Sequence, residues 1–522
     1  VRISANILRT IIGTAALAGS VLQTRHAMAQ PPPEPSPSAA PAPTAPPAPN
    51  PAEPPVNDYR TPGQANAPAA AAAAAPSTPA EPPPSGRFEF GSYGRAHFAS
   101  DLRGGTGRKA NIVAHGTRID EDDYAELELR REDTFKNDVS TRVVSTLALF
   151  GPFFHFTGKA QDQIAVRNLY AQAKYKDVYV WGGYRMYRGD DIYLLNWWPL
   201  DNQNTLGGGV FGKVYQSAQR EGLPRMHETT LAVHAGQQRL DNPYQFQRVP
   251  VVAPFGFGAN NITNLDRPRT IETLKLTHMY RPGEKGGFKA VLYGEAHQLA
   301  AGVQRDPLTD RDRGLPSDSG WLMGSQLTYF TGERDTYVSL FLRHARGLAA
   351  YDPLAVPNTF ATDRTTASSS ETTLAIGANY EHDWLAVMFG GYMRFFRDGE
   401  SSVISTQKYD EGTAVVRPQA FFNEHIGLGL EASHQVRRIA VLDPATDAPL
   451  VAQVTRAALI PFISPSGRGS FKRPQLYAIY ALSARNDGAR ALYPSQDIFA
   501  QRKIEHYAGL GVEWWFNSSS YP

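Results

Sequence analysis

Beyond residue 86, apolar side chains recur at every second position in one short segment after another. In 88–98, Phe88, Phe90, Ala96 and Phe98 share one parity, and Glu89, Tyr93, Arg95 and His97 share the other. In 124–130, Ala125, Leu127 and Leu129 alternate with Tyr124, Glu126, Glu128 and Arg130. In 287–297, Phe288, Ala290, Leu292 and Ala296 oppose Lys289, Tyr293, Glu295 and His297. Near the end, Leu510, Val512, Trp514 and Phe516 oppose Glu513 and Trp515. A period of two with one apolar face predicts strands lying between an apolar medium and water. No long run in this region carries a helical period, and no internal repeat is visible.

A soluble β-sandwich has the same period. Two features favour a membrane barrel instead. The segments are many and near ~10 residues each, the length that crosses a bilayer at a tilt. Aromatic residues also cluster at segment ends, as at Tyr184, Tyr187, Phe395 and Trp514, where interfacial girdles are expected. The expected fold is all-β, a closed antiparallel transmembrane β-barrel over 86–516. Its roughly 430 residues suffice for about 16 or 18 strands with long outer loops.

Composition agrees with this pattern. The chain has 24 Tyr, 25 Phe and 45 Gly, with 42% apolar residues. The mean hydropathy of −0.37 excludes a helical membrane protein. A net charge of +2, with no basic run, gives no reason to expect a nucleic-acid partner. The absence of Cys excludes a disulfide framework and a thiolate metal site. No cofactor is expected.

The first 85 residues have a different texture. Arg2 and Arg9 precede an apolar run from Thr10 to Leu22, and Ala27-Met28-Ala29 matches a cleavage site. Residues 1–29 are therefore expected to be a secretory signal peptide, with Val1 read as an alternative start codon and Gln30 as the first mature residue. Residues 31–85 hold half of the chain's 40 prolines. Such a segment cannot bury a core, so 30–85 is expected to be an extended Pro/Ala-rich tether. A short tail, 517–522, is expected to follow the barrel.

Within the barrel segment, four blocks resemble the maltoporin family of sugar-specific porins. They are Gly91-Ser-Tyr93-Gly-Arg95, Asp123-Tyr124-Ala125-Glu126-Leu127, the stretch from Arg167-Asn168 through Trp181 and Tyr187 to Asp201 and Gly207-Gly-Gly209, and the closing Gly509 to Phe516. The third block looks like the strand and inward-folded loop that narrow the pore in that family. The resemblance implies 18 strands, a homotrimer in the outer membrane of a Gram-negative bacterium, and no enzymatic activity. The partners it implies are membrane lipid and transported sugars of the maltose or maltodextrin kind.

A sugar presents C–H groups on its ring faces and hydroxyls at its edge. A channel matches both by setting aromatic platforms beside charged groups, with weak and repeated contacts. Parity alone places Tyr93, Tyr124 and Trp515 on the watery face. It places Arg95 and Glu126, two residues from Tyr93 and Tyr124, on the same side. The resemblance puts the three aromatics on the family's aromatic slide and adds Phe471, where the family carries Trp, and Trp198 at the constriction, where the family carries Tyr. It suggests Phe156 as a residue reaching a neighbouring subunit. Arg118, Arg167, Asp191 and Asp201 are further candidates for the polar track. The chain departs from the family at Gly189 (usually Arg, with Arg188 beside it), at Tyr193 (usually His) and at Asn196 (usually Asp). These departures leave the particular sugar open.

Two rival readings use the same residues. Lumen arginines would also serve a general or anion-preferring porin. Asp190-Asp191 or Glu126 with Glu128 would supply the paired carboxylates of a secreted glycoside hydrolase or sugar-binding protein. Adjacent residues of a strand point to opposite faces, so Asp190 and Asp191 make a poor acid/base pair if extended.

Overall fold

The computed structural model describes residues 86–517 except 136–138, 151–163, 252–260, 307, 356, 358–359, 362, 401–407 and 444–445. The expected leader, the tether, Phe156 and the tail after Asn517 lie outside the described residues.

Eighteen strands form one sheet. The first seven are β1 (Arg87–Ser100), β2 (Tyr124–Thr134), β3 (Val139–Phe150), β4 (Ile164–Tyr175), β5 (Val178–Arg188), β6 (Asn202–Gln216) and β7 (His227–Gln238). Then come β8 (Arg269–Tyr280), β9 (Gly287–Leu299), β10 (Asp318–Phe330), β11 (Tyr337–Gly347), β12 (Ser370–Glu381) and β13 (Leu385–Arg397). The last are β14 (Lys408–Phe421), β15 (Ile426–Leu442), β16 (Pro449–Ile463), β17 (Gln475–Arg485) and β18 (Ile504–Phe516). Each strand pairs antiparallel with the next, and β18 pairs with β1, so the sheet closes on itself. Closure removes the unpaired edges that a bilayer would not tolerate.

The alternation in the sequence becomes two faces. Phe98 is 75% exposed and Leu292 61% on the outer wall, whereas Glu126 on the inner wall is fully buried. One expectation fails here. Tyr187 is not a girdle residue: its ring stacks on His234 at 4.4 Å and meets Trp181 edge-on, inside the barrel. Its strand parity sets this, because Tyr187 shares its face with the buried Trp181 and Arg185.

Short connections such as 176–177, 382–384 and 422–425 close one end of the barrel, and longer ones such as 101–123, 189–201 and 348–369 close the other. By the usual asymmetry of such barrels the long loops are extracellular. Three of them turn inward and fill the lumen. The loop 101–123 buries Ile112 and Val113 against Ala452, Val454 and Ala489. The loop 348–369 buries Leu348 to Tyr351. The loop 189–201 buries Ile192, Leu194, Leu195, Trp197 and Leu200 in the main apolar cluster.

That third loop needs sockets in the wall. A Cβ at Gly324 would stand 2.3 Å from Leu200, and one at Gly390 would stand 2.9 Å from Ile192. Inward-facing glycines at these points let a loop pack where a side chain would stand.

Candidate functional site

The strand register builds the first part of the site. Across β18, β1 and β2, Trp515 faces Tyr93, and Tyr93 faces Glu126. Two residues along, Glu513 faces Arg95, and Arg95 faces Tyr124. All six share the inner face, and along each of the three strands an aromatic side chain neighbours a charged one: Trp515 and Glu513, Tyr93 and Arg95, Tyr124 and Glu126.

The rings gather into one cluster of Tyr93, Tyr124, Trp198 and Trp515. Tyr93 lies 5.8 Å from Tyr124 and 6.4 Å from Trp515, centroid to centroid. Trp198 arrives from the loop 189–201. Tyr193 of the same loop continues the row, 6.2 Å from Trp515 and 5.3 Å from Phe471. Phe471 belongs to the connection 464–474, which folds back inside the barrel from the short-turn end. The five predicted aromatics are thus contiguous, with Tyr193 as a link. Tyr124, Phe471 and Trp515 keep partly exposed surface, whereas Tyr93 is fully buried and Trp198 is 7% exposed.

Guanidinium groups lie against these rings. Arg95 is 5.3 Å and Arg167 5.4 Å from the Tyr124 centroid. Arg118 is 4.3 Å from Tyr193, Arg473 4.4 Å from Trp515, and Arg188 3.6 Å from Trp198. Such contacts are favourable, and more so where water is excluded.

Carboxylates balance the arginines. Glu513 accepts from Arg118 Nη2 at 2.6 Å, Arg473 Nε at 2.8 Å and the Tyr193 hydroxyl at 2.7 Å. Arg118 also donates to the Tyr93 hydroxyl at 2.8 Å, as does Arg95. Glu126 accepts from Arg167 Nη1 at 2.8 Å and from Tyr124. Glu121 meets Arg95 at 3.2 Å and accepts from Asn196 Nδ2 at 2.7 Å. Burial pushes the Tyr193 phenol up to about 12, against the pull of Arg118 and Arg473. It therefore stays a neutral donor at physiological pH.

Two predicted polar-track residues stand apart from this cluster. Asp201 pairs with Lys275 of β8 at 2.7 Å, and the neighbouring Asp190 pairs with Lys289 of β9 at 2.7 Å. The Gly189 N–H donates to the Asp201 carbonyl at 2.6 Å. Together these contacts staple both ends of the loop. Asp191 is partly exposed, and burial pushes its carboxyl up to about 6 against Arg118. Glu126 and Glu128 do share the inner face, but Glu126 is committed to Arg167 and Tyr124.

Sequence reasoning missed Arg473, Arg188, Glu121 and the role of Tyr193 as a link. Arg473 lies two residues after Phe471, and Arg188 precedes Gly189. It also missed His115, whose ring stacks on Trp197 at 4.3 Å and joins two inward loops. A single His in a long loop carries no periodic signal.

Residues 88–248 and 260–516 match the model of the LamB porin family. No curated protein matches the chain. Among solved structures, the Salmonella typhi OmpF complex with daunomycin is 11% identical, with 83% of this chain and 98% of that one covered at a TM-score of 0.39. Acinetobacter baumannii OccAB1 is 12% identical, with 83% and 96% covered at a TM-score of 0.40. Over most of its length, therefore, this chain belongs to the LamB porin family: it is a porin of the Gram-negative outer membrane.

Proposed function

We propose that this porin conducts sugars of the maltose or maltodextrin kind into the periplasm by facilitated diffusion, and that it works as a homotrimer. The observation that carries the reading is the contiguous row Tyr124, Tyr93, Trp198, Trp515, Tyr193 and Phe471 bordered by paired arginines and carboxylates. Rings give a sugar's C–H faces something to stack on, and the charged border exchanges hydrogen bonds with its hydroxyls. Many weak contacts let a molecule move from one to the next. An anion-preferring porin needs uncompensated positive charge. Here Arg95, Arg118, Arg167 and Arg473 each face Glu121, Glu126 or Glu513.

The test is single-channel conductance in planar bilayers with a panel of neutral malto-oligosaccharides and charged solutes. Block by the sugars at lower concentration than by unrelated solutes of equal size supports the reading. Equal block by all of them rejects it. Residues 1–29 and 30–85 act in this reading as leader and spacer, so a barrel lacking 31–85 conducts as the full mature chain does.

A further inference from the structure

A second row of inward-facing side chains begins beside the short connection 176–177 and crosses β4 to β8. In register, Lys174 pairs with Tyr179, Tyr179 with Phe211, Phe211 with Ala232 and Ala232 with Lys275. Tyr179 and Phe211 stack at 4.5 Å with their planes 4° apart. That separation is close to the spacing of neighbouring strands, about 4.8 Å. The two rings therefore stand upright on the sheet, with their faces turned toward the strands on either side. Tyr179 has Phe211 on one side and Lys174 Nζ on the other, 5.4 Å from its centroid. The far face of Phe211 looks over Ala232, whose side chain is a single methyl. Ala232 shares the inner face of β7 with the buried Thr230 and His234.

Lys275 comes next along the row. Two strand spacings, about 9–10 Å, separate β6 from β8. A ring laid on Phe211 at van der Waals contact, about 3.5–4 Å, lies over Ala232 and reaches toward Lys275. That lysine is already neutralised by Asp201 at 2.7 Å, at the end of the loop 189–201. On the side nearer the short turns, Lys213 meets Glu228 at 2.9 Å. The slot thus has one aromatic wall, a methyl floor and an ion pair at each of two edges. Phe211, Ala232, Lys275 and Glu228 are partly exposed and Lys213 is exposed. The platform is also held in place. Phe211 packs on the cluster of Val144, Tyr170 and Trp181, and Arg185 reaches it at 5.7 Å from β5, the strand on the side away from Ala232.

A phenyl face stacks on C–H groups, and paired charges exchange hydrogen bonds with hydroxyls without drawing in an ion. We propose that Phe211 and Ala232 form a second sugar subsite, a slot for one pyranose ring on the periplasmic side of the loop 189–201. It stands on β6, β7 and β8, apart from the aromatic row of β18, β1 and β2. The inference rests on the sugar-channel reading and adds to it a resting place beyond the loop.

The experiment compares the full mature chain with Phe211→Ala, Phe211→Tyr, Ala232→Leu and Trp515→Ala in planar bilayers. Conductance and the half-blocking concentration of a neutral malto-oligosaccharide are measured on each. Heat-modifiable mobility in detergent gels reports folding. Phe211→Ala is expected to raise the half-blocking concentration by about threefold to tenfold, through loss of the stacking face. Ala232→Leu keeps that face but fills the space beside it, so it should weaken block by a similar factor. The two variants should change conductance in opposite directions, upward in Phe211→Ala and downward in Ala232→Leu. A shared loss of block with opposite effects on ion flow separates a binding slot from a change of pore width. Phe211→Tyr keeps the ring and should block as wild type does. Wild-type block in Ala232→Leu overturns the slot, even where Phe211→Ala is weakened, because the ring then acts through its packing. Should Phe211→Ala fail to fold, Ala232→Leu alone decides. Wild-type block in both, beside weakened block in Trp515→Ala, overturns the subsite and leaves the sugar reading standing. If no saccharide blocks the wild type, both fail together.

Discussion

The Tyr193 hydroxyl donates to Glu513 Oε2 at 2.7 Å, across a separation of 320 residues. This one bond ties the inward loop to the last strand of the barrel. Arg473 meets both partners, so the loop, the wall and the 464–474 connection converge on a single carboxylate.

Tyr193→Phe should therefore loosen the loop without opening the barrel. A buried hydrogen bond to a charged group contributes about 1.5–3 kcal/mol. Glu513 retains Arg118 and Arg473, which places the loss near the lower figure. The expected readout is greater open-channel current noise with unchanged heat-modifiable mobility in detergent gels. A variant as quiet as wild type would show that the bond does not hold the loop.

Trp515→Ala should weaken sugar block. Loss of one stacking face is worth on the order of 1 kcal/mol, or about fivefold in half-blocking concentration. The barrel should survive, since Trp515 is partly exposed and packs on the inner face beside Tyr93 and Trp198. Unchanged block in a folded variant would remove Trp515 from the platform.

Lys289→Met takes the paired cation from the Asp190 carboxylate and leaves it the Gln326 amide. Breaking one side of a buried ion pair costs about 3–5 kcal/mol at most, and here the cost falls on the loop rather than on the ladder of barrel hydrogen bonds. The variant should show flickering current. Lys289→Met/Asp190→Asn should be quieter than the single variant, because no charge is left unpaired. Equal noise in the two would argue against the staple.

The Asp191 carboxyl, raised to about 6 mainly by burial, gives a pH signature. Below that value it is neutral, and as pH rises through 6 it gains a negative charge in the pore. Cation preference, read from reversal potentials in a salt gradient, should therefore increase between pH 5 and pH 7. The stability effect has the matching sign. A carboxyl whose folded value is raised holds its proton longer when folded, so stability falls as pH rises from the ordinary range through about 6. Asp191→Asn should flatten the selectivity change. A wild-type channel with pH-independent selectivity across that window would disprove the assignment.

The alternation of Phe88, Phe90 and Phe98 with Tyr93 and Arg95 was enough to assign faces, and with it the barrel and the lumenal side of Tyr124 and Trp515. Strand geometry makes that signal local: each side chain's face follows from its neighbours two positions away. Tyr187 shows the limit, because an aromatic at a strand end reads as girdle until its register is known. What the loops do was not legible from pattern alone. Whether 189–201 turns inward depends on space beside Gly324 and Gly390, over a hundred residues downstream, and on lysines from β8 and β9. The placement of Arg188 on Trp198, and of Tyr193 on Glu513, likewise depends on packing between segments far apart in the chain. Irregular loops have no period that records their partners, so the wall could be read from the sequence while the constriction required the fold.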